Sequence, residues 1–211
     1  MALFRNILEL VDMGGPVMIP IGVLSAWMWI LIALKADWIR RAGRQSLPLD
    51  DAMACLCSET PPPTSGCCPK ALALAYFMKQ QDGPGRPTDN EPRRIFFEVA
   101  VRRQLRDLYR FIPAIMILAA AAPLLGLLGT VSGMVETFRV IGLYGMGNAQ
   151  AMASGIREAL LTTQAGLLVA IPGLIVGQIM RRKVRGLHQD LLVFHRAVCQ
   201  WLEKEWQPCS D

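Results

Sequence analysis

Charged residues are scarce in this chain. They make up 18% of its 211 positions, against about a quarter in soluble globular domains. Three stretches have none: Met13 to Leu34, Phe111 to Val135 and Ala159 to Met180. Each is about 20 residues long or slightly more, the length of helix that crosses roughly 30 Å of hydrocarbon. More than half of the residues are hydrophobic and few are aromatic. This composition excludes an ordinary soluble domain and predicts an all-α integral membrane protein with three transmembrane helices.

Other absences narrow the function. The two histidines, His188 and His195, stand seven positions apart on one helix face, and no nucleophile is patterned with them. The run "GLLGTVSG" lacks the Lys–Ser/Thr ending of a phosphate loop and would be sunk in the membrane. No catalytic constellation emerges, so no enzyme is expected. The N-terminus lacks the cationic region, short apolar core and small-residue cleavage site of a secretory leader, so the first apolar stretch is expected to remain as a span. Cys55 and Cys57 followed by Cys67 and Cys68 form C-x-C and C-C pairs in a proline-broken segment. That spacing departs from the C-x₂₋₄-C pairs of zinc sites, and neither metal nor cofactor is expected.

The cations that are present cluster at the span ends. Lys35, Arg40, Arg41 and Arg44 follow the first span, Arg102, Arg103, Arg106 and Arg110 precede the second, and Arg181, Arg182, Lys183 and Arg185 follow the third. Only Arg5, Arg139 and Arg157 lie on the opposite side. The positive-inside rule puts the N-terminus outside, the 35–110 connection inside, the 136–158 connection outside and the tail inside. The net charge of +5 therefore calls for no nucleic acid. This topology places all six cysteines in a reducing compartment, where they are expected as free thiols.

The segments between the spans differ in character. Residues 1–12 alternate apolar and polar side chains at helical spacing, as an amphipathic helix lying in the outer interface would. Between Ser46 and Pro92, proline and glycine stop regular structure except in the apolar run "KALALAYFMK", which predicts one short helix, and a small helical hairpin or lid is the most this segment is expected to hold. From Pro92 the pattern predicts a single helix running through the second span to about Thr137. In the 181–211 tail, Val184, Leu187, Leu191, Phe194, Val198 and Trp201 form a seam at steps of three and four, so the third span is expected to continue as a helix into the cytoplasm. The helix before the second span is one partner for that seam, and a ring of like subunits is another.

Small residues form two stripes. Ala119, Pro123, Gly126, Thr130, Gly133 and Thr137 are spaced four, three, four, three and four. Ala159, Thr163, Gly166, Ala170, Gly173 and Gly177 repeat that spacing in the third span. In lipid, joining two apolar helices brings no hydrophobic gain, so close backbone approach and hydroxyl hydrogen bonds provide the association. Thr130 and Thr163 stand within apolar spans, where they are candidates to line a polar path. Glu158, at the outer end of the third span, is the ionisable candidate.

The run "PLLGLLGTVSGMVETF", a short connection, and "GIREALLTTQAGLLVAIPGL" are together similar to the pattern shared by the ExbB, TolQ and MotA proton-channel subunits, and most like ExbB. The match covers about Pro123 to Arg185; the first span and inner loop agree in layout. The resemblance implies a homopentamer in the bacterial inner membrane around two helices of an ExbD-like or TolR-like partner, with a TonB-like or TolA-like protein transmitting the work. It places Thr130 and Thr163 at the family's polar positions and Glu158 at the glutamate heading the last span. Arg157 directly precedes Glu158 where the family more often has a small or neutral residue. A neighbouring cation favours the charged carboxylate, so an electrostatic or structural role is expected for Glu158 rather than a relay.

Overall fold

A computed structural model describes residues 14–44, 47–57, 68–81, 90–145 and 149–204. The interfacial segment expected at 1–12 lies outside them. Among the described residues six helices form: α1 (Met18–Arg44), α2 (Leu49–Cys57), α3 (Pro69–Gln81), α4 (Asn90–Tyr109), α5 (Ile112–Tyr144) and α6 (Ala149–Lys204). No strand occurs among the described residues. Met18–Gly43, Arg94–Tyr144 and Met152–Trp201 are long and apolar enough to cross a membrane. Only 28% of each spanning window is buried within the chain, so most of this apolar surface is left for lipid or for other subunits.

Two features depart from the pattern-based expectation. The first is α2, whose opening turn carries Asp50 and Asp51, where negative charge meets the positive end of the helix dipole. Pro48 stands just before its first residue, where a proline is tolerated, and the next proline, Pro61, lies beyond its last. The second is a break in the helix expected to run from Pro92 to Thr137. Phe111 adopts a left-handed conformation, φ 72° and ψ −20°, between α4 and α5. The cause is Pro113, which has no N–H to give and whose ring would clash with the carbonyl four residues earlier. A proline is well tolerated in the first turn of a helix, so the chain ends α4 and starts α5 afresh. At its other end α5 runs on to Tyr144 and is closed by Gly145, φ 67°, whose N–H donates to the Ile141 carbonyl.

The chain forms two compact units. One takes Phe111–Ile179 with the described residues of Met1–Ala33; the other takes Leu34–Arg110 with the described part of Met180–Asp211. In the second unit, α3, α4 and the later part of α6 pack through aromatic rings. Phe97 lies edge-on to Phe77 at 5.3 Å and to Phe194 at 6.3 Å, and stacks on His195 at 5.5 Å. The tail seam is accommodated within the chain: Val184, Leu191, Phe194 and Val198 are buried, and Arg94 pairs with Glu203 at 3.5 Å. Lys35 is also buried. Its ammonium donates to the Asp107 carbonyl at 3.1 Å and sits 4.2 Å above the Trp38 ring. It thereby adds a second donor to a carbonyl in the last turn of α4, which the Arg110 N–H also reaches at 3.3 Å.

Phe97 is fully enclosed, so Phe97→Ala should cost about 3–5 kcal/mol, whereas Ile95→Ala, on the open side of α4, should change little; denaturation of the purified protein in detergent checks both. Burial lowers the His195 imidazole below its ordinary value; Glu98 opposes this, and Arg94 and Arg196 add to it. The unfolded chain therefore takes up this proton first. Stability of the unit should fall as pH drops below about 6.5, and His195→Phe should flatten that dependence in melts compared at successive pH values.

Candidate functional site

The first unit is organised around the contact between α5 and α6. A methyl group added at Gly126 would stand 3.0 Å from the Thr162 carbonyl oxygen and 3.2 Å from the Thr163 Cα. One added at Gly166 would stand 2.7 Å from the Ala122 carbonyl oxygen, and one at Gly133 would stand 3.0 Å from the Gly155 carbonyl oxygen. The two backbones therefore touch, as small residues permit. Two threonines act as pegs in this surface. Thr162 of α6 fills the space a side chain on Gly129 would take, its Cβ 2.5 Å from that position, and Thr137 of α5 does the same at Gly155. Each step to higher numbers on α5 is matched by a step to lower numbers on α6, so the pair is antiparallel and its register is fixed at several levels.

α1 lies along α6 as well. The sulfur of Met28 packs 2.5 Å from where Gly173 would carry a Cβ, and the Ala119 methyl is 3.1 Å from the same point. Further up, the Glu158 carboxylate packs directly against Gly15. Thirteen residues of α1 and its lead-in thus match fifteen residues of α6, so the two run parallel. α6 is the element on which the other two converge.

The buried line coincides with the expected stripes except at three positions, each displaced by one residue. Ala119, Ala122, Gly126, Gly129, Gly133 and Thr137 are buried on α5, and Ala159, Thr162, Gly166, Ala170, Gly173 and Gly177 on α6. Pro123, Thr130 and Thr163 are instead half-buried beside it. Runs spaced three then four and four then three trace nearly the same face, so spacing alone does not choose between neighbours; the peg of Thr162 fits only a glycine. Thr162 was not singled out in the sequence, and the signal was present: two adjacent threonines opposite a glycine in antiparallel register.

The hydroxyls are all used in the same way. Thr130 donates to the Leu127 carbonyl at 2.7 Å and Thr163 to Ala159 at 3.0 Å. Thr137 donates to Gly133 at 2.9 Å, Thr162 to Ala159 at 2.9 Å and Ser132 to Gly129 at 3.2 Å. Such bonds satisfy the hydroxyl proton within its own helix. What Thr130 and Thr163 present outward is therefore oxygen lone pairs alone, which accept from water, a hydronium ion or a protonated acid. They stand one residue beyond the Gly129–Thr162 peg on each helix and, because the helices are antiparallel, on opposite sides of its level, within about one helical turn of each other. Glu158 is half-buried over Gly15, and Glu136 pairs with Arg139 at 3.5 Å on the exposed side.

The cysteines are separate from this site. Cys68 is buried, and Cys55 and Cys199 are half-buried free thiols. The Cys199 sulfur lies 3.5 Å from the His195 ring, and burial pushes its thiol up from the ordinary range, which keeps it protonated and unreactive. Among the described residues no group of three or more His, Cys, Asp or Glu is placed to hold a metal. The side chains of Cys57 and Cys67 lie outside the described residues.

The peg-and-notch contact has a direct test. Gly129→Ala should cost about 1–3 kcal/mol by overpacking, Thr162→Ala added to it should restore much of the loss, and Gly22→Ala, with open space around it, should cost nothing. Thermal melts in detergent would read all three.

Residues 72–191 match the model of the MotA/TolQ/ExbB proton channel family. A putative biopolymer transport protein, ExbB-like 1, of a Synechocystis species is 31% identical over 180 residues, covering 79% of this chain and 67% of that one. The biopolymer transport protein ExbB of Neisseria gonorrhoeae is 28% identical over 204 residues, 88% of this chain and 92% of its own. The Tol-Pal system protein TolQ of Haemophilus influenzae is 32% identical over 92 residues, 44% of this chain and 40% of its own. The family match runs from α3 through the whole of the α5–α6 contact and into the tail, and with three helices able to span a membrane the chain belongs to the MotA/TolQ/ExbB proton channel family.

Proposed function

We propose that this protein is the ring subunit of a bacterial inner-membrane motor driven by protons. Five copies surround two transmembrane helices of an ExbD-like or TolR-like partner, and proton flow through the ring is converted into work on a TonB-like or TolA-like protein. The N-terminus is periplasmic and the tail cytoplasmic, in keeping with the basic residues that flank the inner ends of the spans. The extensions of the second and third spans form the cytoplasmic part of the ring. No catalysis of covalent chemistry is involved.

The observation that carries this reading is the pair Thr130 and Thr163. They lie within about one helical turn of each other beside the α5–α6 contact, and each donates its hydroxyl proton to a carbonyl of its own helix, which leaves its oxygen lone pairs to accept. A polar surface of this kind suits the passage of a proton held on water or on a carboxylic acid of the partner. A scaffold that only packed against its neighbours would be served as well by valine, which has nearly the same shape and no acceptor to offer. The ExbB-type assignment is preferred over the TolQ type because the ExbB-named relatives from Neisseria align over 88% of the chain and the TolQ relative over 44%.

Proton uptake into liposomes holding this protein and its partner tests the proposal. Thr130→Val and Thr163→Val should each lower partner-dependent flux about tenfold, the equivalent of one unmade hydrogen bond of about 1.4 kcal/mol, while serine at either position should preserve it. Flux that survives valine at both sites removes the threonines from the path. Absence of any partner-dependent flux in the unaltered protein leaves a passive scaffold.

A further inference from the structure

We infer that Glu158 is a positioning residue, a latch whose carboxylate seats on Gly15 and ties the lead-in of the first span to the head of the third. Gly15 lies three residues before α1, with φ 70°, a left-handed conformation that a residue with a Cβ adopts only at a cost. The turn it begins is closed by a bond from the Met18 N–H to the Gly15 carbonyl at 3.1 Å. The space beside its Cα, where a side chain would stand, is taken by the carboxyl group of Glu158. Glycine is therefore required there twice, by conformation and by contact.

The backbone behind Glu158 is itself held. Gly155 and Ala159, on either side of it along α6, are pressed against Thr137 and Gly133 of α5. A single turn of α6, residues 155–159, thus carries α5 on one face and the lead-in of α1 on another. The other level at which α6 meets both helices among the glycine contacts is Gly173, between Met28 and Ala119. With these two ties fifteen residues apart, α1 is fixed against α6 at both ends of the shared stretch. Glu158 supplies the outer tie. Its reach across to Gly15 uses its length and carboxyl shape, and glutamine reproduces both.

The effect on flux rests on the proposed proton-driven role; the contact itself does not. In membranes, Gly15→Cys with Glu158→Cys should form an intrachain disulfide, detected by mass spectrometry, and Gly22→Cys with Glu158→Cys should not. In liposomes, Glu158→Gln should keep most of the flux with an unchanged pH profile, Glu158→Ala and Gly15→Ala should each lower it several-fold, and the two alanines together should do no worse than either alone. Failure of the Gly15–Glu158 disulfide to form overturns the latch. So does a Glu158→Gln variant whose flux is lost or whose pH profile shifts, since that is the behaviour of a proton relay. Should no variant conduct, the proposed motor role fails while the disulfide still decides the latch.

Discussion

Everything in the first unit depends on two helices coming close enough for their backbones to touch. In hydrocarbon there is no gain from hiding apolar surface, so the α5–α6 pair is held by dispersion across a narrow gap and by the fit of side chains into it. Leucine on both sides would keep the axes apart and leave the pair free to slide. The glycines at 126, 129, 133, 155 and 166 remove that spacer, and the pegs of Thr137 and Thr162 then fix the register. Once the register is fixed, Thr130 and Thr163 are held within about one helical turn of each other, on either side of the Thr162 peg. The site follows from the packing.

The second unit solves a different problem with different chemistry. Burying an aromatic ring away from water is favourable, about 1.5–3 kcal/mol for a ring the size of Phe97. Phe77, Phe97 and Phe194 therefore replace the small residues as the contact that holds helices together. α6 takes part in both units without interruption: glycine and threonine face its neighbours in the first, valine, leucine and phenylalanine in the second. One helix thus changes its packing code part-way along, where its charge-free stretch ends at Arg181.

Much of this was legible in the sequence. Long charge-free runs have one physical explanation, so the all-helical class and the three spans could be read directly. The tail seam of Val184, Leu191, Phe194 and Val198 was equally plain, because periodicity reports burial. The phase of the small-residue stripe was not legible. Thr162 and Thr163, or Gly129 and Thr130, differ by one position, and which of them faces the partner depends on the shape of the opposing helix. The break at Phe111 had a cue in Pro113 that helix propensity of the flanking residues outweighed. The seating of Glu158 on Gly15 joins residues far apart in sequence and needs the fold to be seen.

The hydroxyls of Thr130 and Thr163 have one more consequence. Because each proton is bound back into its own helix, the two side chains show the outside only the negative end of their dipoles. A surface of that kind sorts ions by sign before it sorts them by size. In the proposed proton path, chloride or hydroxide would find no donor there, whereas a hydronium ion would find acceptors already in position and need no rotation of a hydroxyl to be received. Two intrahelical bonds, at 2.7 and 3.0 Å, would then act as an electrostatic filter without a single charged residue.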